Sequence, residues 1–239
     1  MLSILYNKNI SFSLFIIFFQ LFFSYPLLSK ENDTLKGQYI ATLAGCYSCH
    51  TDKDSKKPYS GGRKIYTNFG VFYSPNITPD KVTGIGNWSD SDFINALKNG
   101  ISPNGTHYLP VFPFTSYVGM DEKDILNLKK YLFSIEPVNK INKPHDIFFL
   151  LKSNIIIGIW KKIFFVSKNY NYDNKSSKKW NRGKYIVEHL AHCGECHTPR
   201  NIFGATKSNR KLNGANLIAN GEITPSITND LIYGIRNWS

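Results

Sequence analysis

Apolar residues recur at helical spacing in three separate stretches of the first half of the chain. The first stretch, over positions 35–43, leads directly into a pair of cysteines and predicts a helix. Ser89 and Asp92 form a capping-box signature before a second apolar run, which Gly100 ends. Asp121 is placed to cap a third helix that runs to about position 134. The pattern predicts a first domain of three helices over residues 30–138.

Two long segments, Pro58–Gly86 and Asn99–Gly119, separate these helices. Both are rich in Gly, Pro and Asn, and neither shows the alternation of apolar and polar residues that is typical of strands. Loops of this length need something to pack against, and a large apolar cofactor would provide it. The sequence therefore predicts a mainly α fold with long loops that pack on a cofactor.

Residues 139–180 form an apolar and basic linker. Its apolar run covers Ile147–Val166. Three lysines interrupt the run: Lys152, Lys161 and Lys162. It is therefore not expected to span a bilayer, and two interpretations stay open. The linker is either a helix at the membrane interface, with Trp160 near the headgroups, or a helix that packs across two domains. A second domain, 181–239, is predicted to begin with a helix over about 181–191.

Residues 1–29 are predicted to be a signal peptide or an N-terminal anchor. Lys8 precedes the apolar run Ile10–Phe23, and Ser24-Tyr25-Pro26 follows it. The run is short for a bilayer span of about 20 residues, and cleavage is left open. In either case the chain is expected to be exported.

The chain repeats itself at an offset of 150 residues. Nine of the sixteen residue pairs between 74–89 and 224–239 are identical. Upstream, Gly37-Gln38-Tyr39-Ile40 precedes the first cysteine pair as Gly183-Lys184-Tyr185-Ile186 precedes the second. This pattern indicates a tandem duplication. Because residues follow the tryptophan segment only in the first copy, the second domain is expected to be incomplete.

The composition and net charge of the chain exclude few classes of protein. The 239 residues are 42% apolar and 19% charged, which is too apolar for a disordered chain. The formal net charge of +12 would suit an anionic membrane surface, although an excess of lysines is also typical of an ordinary solvated surface. No nucleic-acid partner is expected.

All four cysteines lie in two Cys-x-x-Cys-His pentads, which are typical of covalent haem attachment. Two thiols on one helical turn can add to the two vinyl groups of one porphyrin, and the adjoining histidine can then ligate the iron. The sequence thus predicts two haem c groups. Their covalent attachment is assigned to Cys46, Cys49, Cys193 and Cys196, and their proximal ligation to His50 and His197.

Four other interpretations of the pentads leave part of the pattern unexplained. A zinc ribbon is excluded because its two cysteine pairs are typically about 15–20 residues apart, whereas these lie 147 residues apart. Zinc bound at one pentad is conceivable, because His189 and His192 precede Cys193. A redox dithiol would need a strand-helix-strand context that the sequence lacks. A structural disulfide within each pair would suit an exported protein but does not explain why histidine directly follows the second cysteine in both copies. Haem attachment accounts for both copies.

The sixth ligand of the first iron is assigned to Met120. The chain has only two methionines, Met1 and Met120, and methionine opposite histidine raises the reduction potential. His107 is the competing ligand. No methionine follows Cys193, so the second haem is either five-coordinate, ligated by a histidine, or held in a poorly folded unit.

Beyond the pentads, several motifs make the chain resemble the multihaem cytochrome c subunits of membrane-bound, quinone-linked alcohol, gluconate and sorbitol dehydrogenases. The motifs are Gly61-Gly62-Arg63, Asn68-Phe69-Gly70, Ser74-Pro75-Asn76-Ile77-Thr78-Pro79-Asp80, Tyr108-Leu109-Pro110 and the run from Trp180 to Asn201. The resemblance implies tandem class I cytochrome c-like domains and the haem residues named above. Where many members have methionine this chain has Phe112, which leaves Met120.

The same resemblance implies two supporting roles. The carbonyl of Pro75 would accept the ring hydrogen of His50 and so determine its tautomer. Trp88, and Trp238 in the repeat, would close the haem pockets. Members usually carry three haems and are longer, so this chain resembles a fragment.

The resemblance implies an electron carrier, with no catalysis of its own. It would pass electrons from the catalytic subunit of a dehydrogenase that oxidises CH-OH groups toward ubiquinone or a downstream oxidase, at the periplasmic face of the bacterial inner membrane. Two other functions stay open: a soluble diffusible cytochrome, or a haem enzyme such as a peroxidase or thiosulfate dehydrogenase.

Overall fold

The computed structural model describes residues 33–55, 57–167, 169–217 and 222–238, so the predicted signal or anchor lies outside the described residues. The long helices of the first part of the chain are α1 (residues 33–43), α3 (Asp90–Asn99) and α5 (Glu122–Leu132). They confirm the three helices that the sequence predicts.

Shorter elements complete the chain. In order they are α2 (Cys46–His50), β1 (Lys64–Thr67), β2 (Gly70–Tyr73), α4 (Phe114–Tyr117), β3 (Asp146–Ile147), a 3-10 turn (Phe149–Lys152), α6 (Asn154–Phe164), α7 (Lys178–Tyr185), a π-helical turn (Ile186–Leu190), α8 (Gly194–His197), a 3-10 turn (Ser208–Arg210), β4 (Ala215–Leu217) and β5 (Glu222–Thr224). Within the described ranges helices are the principal regular structure, and two small antiparallel sheets accompany them.

The ends of α3 and α5 form through the local signals seen in the sequence. The Ser89 hydroxyl accepts a hydrogen bond from the Asp92 N–H, and the Asp92 carboxylate accepts one from the Ser89 N–H. Gly100 ends α3 in the left-handed conformation, with φ of 60°. Asp121 caps α5 by accepting from the Lys123 N–H. Such contacts involve neighbouring residues only, which is why they can be predicted without a tertiary structure.

The prediction that Pro58–Gly86 contains no strand is wrong, because β1 and β2 pair as an antiparallel hairpin in this segment. Its four-residue strands are too short for alternation to show, although both are rich in β-branched and aromatic residues. The linker adds β3 to the same sheet, next to β2. Gly70 allows this approach, since a side chain there would meet the Asp146 carbonyl oxygen at 2.3 Å.

One apolar core joins both halves of the chain. It contains side chains from α1, α3 and α5, and Tyr185 and Leu190 from the second half are buried in the same cluster. The predicted helix at 181–191 begins earlier, at Lys178, and continues as the π-helical turn. Because Tyr185 donates a hydrogen bond to the Asp124 carboxylate at 2.9 Å, α7 is attached to α5 by polar as well as apolar contacts.

The linker helix α6 packs against the first half of the chain through a lysine. Lys161 is buried and donates hydrogen bonds to the Asn99 and Gly100 carbonyls at the end of α3. Its ammonium lies 4.8 Å from the centre of the Phe114 ring. A cation is favourable at the carboxyl end of a helix, where unpaired carbonyl groups carry partial negative charge. No helix among the described residues is both long and apolar enough to cross a membrane.

Lys161 makes the stability of the protein depend on pH. Burial lowers the pKa of Lys161 from 10.5 to about 8. The unfolded chain therefore binds more protons than the folded chain between these pH values, and this group adds stability as the pH rises from 8 to 10.5. In Lys161→Met we expect that gain to disappear, a difference on the order of 1–2 kcal/mol over the window.

Urea unfolding at pH 7.5 and pH 10 measures the effect. The control is Lys162→Met, since Lys162 is the exposed neighbour on the same helix. Equal pH dependence in the wild type and both variants would contradict the assignment of the gain to Lys161.

Candidate functional site

The first pentad forms the short helix α2, which starts after Gly45 in the left-handed conformation. Gly45 has φ of 63°, so α1 ends and α2 begins at a new angle. Cys46 is half-buried, Cys49 is exposed, and both thiols are free. Burial raises the pKa of the Cys46 thiol to about 12. The two sulfurs therefore lie on one helical turn as unpaired thiols, as covalent attachment to one porphyrin requires.

His50 is held in one tautomer by the loop that follows the hairpin. Its Nδ1 lies 2.8 Å from the Pro75 carbonyl oxygen. A carbonyl can only accept, so Nδ1 carries the hydrogen and Nε2 keeps its lone pair. Burial lowers the pKa of His50, while the bond to Pro75 acts in the opposite direction. This confirms the contact that the resemblance implied and leaves a neutral imidazole with one nitrogen available to a metal.

A buried polar network holds the Pro75 loop in position. The Asn76 amide donates to the Val138 carbonyl at 2.7 Å and accepts from the Thr78 N–H at 2.9 Å. Gly61 donates to the His50 carbonyl at 2.7 Å, and a side chain at Gly61 would meet the Pro75 carbonyl carbon at 2.5 Å. Gly61, which lies against Pro75, therefore contacts the His50 backbone, while Pro75 contacts the His50 ring.

The second pentad has the same arrangement. His197 in α8 places its Nδ1 2.8 Å from the Pro225 carbonyl oxygen. Gly214 donates to the His197 carbonyl at 2.8 Å, as Gly61 does to His50. Cys193 and Cys196 are free thiols, and Cys193 is half-buried. The duplication read from the sequence is thus repeated in hydrogen bonds around both histidines.

The structure places Met120 and His107, the two candidate distal ligands of the first iron, in different surroundings. Met120 is 1% exposed and belongs to the core cluster against which Cys46 packs. His107 lies against the linker helix, where its Nδ1 is 3.2 Å from the Lys161 ammonium and its N–H donates to the Asn154 side chain. Met120 therefore shares its surroundings with the first pentad, whereas His107 is engaged by α6.

The two histidines that precede the second pentad make hydrogen bonds to the first half of the chain. His189 Nδ1 lies 2.8 Å from the Ser116 carbonyl, and His192 Nε2 lies 3.1 Å from the Ala44 carbonyl. Among the described residues no group of three His, Cys, Asp or Glu side chains is arranged to hold a metal ion. His189 and His192 therefore act here as contacts between the two halves of the chain.

Tyr117 and Glu195, which the sequence analysis did not single out, extend the contact between the two halves of the chain. The Tyr117 hydroxyl donates to the same Ala44 carbonyl at 3.1 Å, and its ring centre is 5.6 Å from that of His192. The Glu195 carboxylate accepts from the Thr115 and Ser116 hydroxyls, both at 2.8 Å. It also pairs with Arg200. Only the position of Glu195 inside the pentad was a signal in the sequence.

The tryptophans occupy different environments in the two repeats. Trp88 is partly buried, packs against the core cluster and lies edge-on to Phe93 at 6.5 Å between ring centres. Trp238 is 73% exposed. Of these two tryptophans, Trp88 lies in apolar surroundings of the kind that would enclose a cofactor, and Trp238 does not.

Several curated proteins are similar to this chain over most of its length. A diheme cytochrome c-type protein of Cereibacter sphaeroides is 39% identical over 198 residues, which cover 81% of this chain and 66% of that protein. The fructose dehydrogenase cytochrome subunit of Gluconobacter japonicus is 36% identical over 90% of this chain and 44% of its own length. The gluconate 2-dehydrogenase cytochrome c subunit of Pantoea cypripedii is 34% identical over 88% of this chain and 50% of its own length.

The chain thus spans between 44% and 66% of the length of these curated relatives. No protein-family model matches it.

Proposed function

Because the chain belongs to the family of c-type cytochromes that includes the cytochrome c subunits of quinone-linked dehydrogenases, we propose that it is an electron carrier with covalently attached haem c. It has no catalytic role of its own in this proposal. The haem iron, when bound, supplies a one-electron redox couple.

The observation that carries the proposal is the repeated geometry of the two pentads. In each, two free thiols share a helical turn with a histidine whose Nδ1–H is donated to a proline carbonyl at 2.8 Å. This donor set suits a porphyrin with one axial imidazole. Cys46 and Cys49 would attach the first group and Cys193 and Cys196 the second, with His50 and His197 as the proximal iron ligands.

We propose that residues 30–138 and 181–239 are two haem domains joined by the linker 139–180. The contacts of His192 with the Ala44 carbonyl and the Tyr117 ring, and of Glu195 with Thr115, support a close arrangement of the two attachment motifs. These contacts are short and polar, so they hold the motifs in a definite orientation.

The names of the relatives suggest the partners. The Gluconobacter and Pantoea proteins are subunits of fructose and gluconate dehydrogenases. We propose that this chain accepts electrons from the catalytic subunit of a dehydrogenase that oxidises CH-OH groups, and delivers them to ubiquinone or a downstream oxidase. Its proposed location is the periplasmic face of the bacterial inner membrane, in contact with the membrane surface.

The test is a haem count on the full chain produced in a host that matures exported c-type cytochromes. We expect a pyridine haemochrome spectrum typical of thioether-linked haem, two haems per chain, and reversible one-electron titrations. Isolation of the chain from this host as unmodified polypeptide would refute the proposal.

Met120 is proposed as the distal ligand of the first haem, because it is buried in the core against which Cys46 packs. Met120→Leu preserves volume but removes the sulfur. Since the axial ligand sets haem potentials over roughly 0.8 V, we expect one of the two potentials to fall, by on the order of 0.1 V. His107→Gln is the matched control and should leave both potentials unchanged. A reduction potential that changes in His107→Gln but not in Met120→Leu would reverse the assignment.

A further inference from the structure

The second half of the chain contacts the first half on both sides of Met120. Before the methionine in sequence, the Ser116 carbonyl accepts a hydrogen bond from His189 Nδ1–H at 2.8 Å. After it, the Asp121 N–H donates to the Tyr185 hydroxyl at 2.9 Å. The backbone that carries the methionine is therefore attached to the second half at two points.

The ring of His189 lies directly against the backbone beside Met120. A side chain at Gly119 would meet the His189 Cε1 at 2.1 Å, so the absence of a side chain there permits this approach. The Tyr185 ring is buried, and its centre lies 6.0 Å from that of His189. Because the Tyr185 hydroxyl also donates to the Asp124 carboxylate at 2.9 Å, it is fixed at the start of α5.

A difference of one residue between the two repeats accompanies the turn that carries this histidine. Nine positions separate Gly37 from Cys46 in the first copy, and ten separate Gly183 from Cys193 in the second. The helix before the first pentad is α-helical, whereas the helix before the second changes to a π-helical turn. A π-helical turn closes its hydrogen bonds over five residues instead of four, so it takes up one extra residue. The second copy thus has a local feature that the first copy lacks.

Residues that orient a metal ligand without touching the metal change the properties of the site. We propose that Tyr185 and His189 are positioning residues for Met120. They hold its segment, residues 116–121, so that the sulfur stays available as the distal ligand of the first haem. This role rests on the proposed function, because it requires haem at the first pentad. The second unit would then control the reduction potential of the first.

Four variants of the full chain test this role. Tyr185→Phe keeps the ring but removes the acceptor for the Asp121 N–H. His189→Leu removes the donor of the other contact, whereas His189→Asn keeps one, because its amide nitrogen lies close to the position of Nδ1. Tyr170→Phe is the control, since the Tyr170 ring packs against both Tyr185 and His189 while its hydroxyl donates within the second half.

Amide hydrogen exchange over residues 116–121 measures how firmly the segment is held, with or without haem. We expect exchange there to be about tenfold faster in Tyr185→Phe and in His189→Leu, because each loses a hydrogen bond that restrains the segment. In the haem-loaded chain, both variants should lower the first reduction potential and weaken the near-infrared absorption band of sulfur-ligated ferric haem. His189→Asn and Tyr170→Phe should give wild-type values in both measurements.

Wild-type exchange and potential in both Tyr185→Phe and His189→Leu would overturn the proposal, as would equal effects of leucine and asparagine at position 189. Faster exchange with an unchanged potential would also overturn it, because the segment would then be held without any effect on the ligand. A haem-loaded wild type without the sulfur band would refute this role and leave electron transfer intact. A wild type without haem would refute the proposed function itself, so the two failures are distinguishable.

Discussion

Serine substitution of Cys46 and Cys49 together is expected to remove one covalent haem from the chain and to leave the other in place. Without the two sulfurs no thioether bond can form at the first pentad, and His50 alone would bind a porphyrin reversibly. The first domain should also lose stability, because a group that binds only the folded state stabilises it. Intact-mass measurement under denaturing conditions, with a haem count per chain, gives the result directly.

The matched variant is the same double substitution at Cys193 and Cys196. We expect it to remove the other haem, so the two double variants should each retain one and the fourfold variant none. Two haems in either double variant would show that the substituted pentad is not an attachment site. If the wild type carries one haem and loses it only when Cys46 and Cys49 are substituted, the cofactor is limited to the first domain.

Substitution of Asn76 by alanine is expected to destabilise the first domain by about 3 kcal/mol. The change removes the nearest donor to the Val138 carbonyl, which keeps only hydroxyl donors at 3.4 and 3.5 Å, and it removes the acceptor for both the N–H and the hydroxyl of Thr78. Each buried group left without a partner costs about 1–3 kcal/mol. Because Asn76 follows Pro75, the carbonyl that accepts from His50 should also lose its fixed position. Urea unfolding measures the first effect, and the reduction potential of the first haem reports the second.

The repeat supplies the control for this experiment. At the position equivalent to Asn76 the second copy has Ser226, whose hydroxyl accepts from the Thr228 N–H at 3.3 Å. Asn76→Ser should therefore keep an acceptor for the Thr78 N–H and lose only the hydrogen bond to the Val138 carbonyl, which the shorter serine side chain does not reach. We expect it to cost about half as much as Asn76→Ala. Equal costs for serine and alanine would mean that the turn does not depend on this acceptor.

Several features of the site could be predicted from particular residues. Each pentad can be recognised in the sequence, because its cysteines and histidine are neighbours in the chain. Ser89, Asp92 and Gly100 define α3 through contacts within a few residues. The hairpin was missed because strands as short as β1 and β2 gain their stability from pairing, which a single stretch of sequence does not display.

The partners of distant residues could not be predicted in the same way. Nothing local to Glu195 indicates that its carboxylate accepts from Thr115, which is 80 residues away. The Pro75 contact was expected only through a family resemblance, and its counterpart at Pro225 bridges 28 residues. Such contacts depend on how loops pack over the whole domain.

The amino-acid sequence by itself determined the two thiol-and-histidine pentads, their duplication and the long helices, since all of these are properties of neighbouring residues or of direct repetition. The tertiary structure alone decided that His192, next to the second pentad, contacts the Ala44 carbonyl just before the first, and that Met120, rather than His107, shares an apolar core with Cys46. It also decided which face of α6 is outward. The periodicity of an apolar helix does not say which side is buried, and here the buried side is the one whose lysine reaches the free carbonyls of α3.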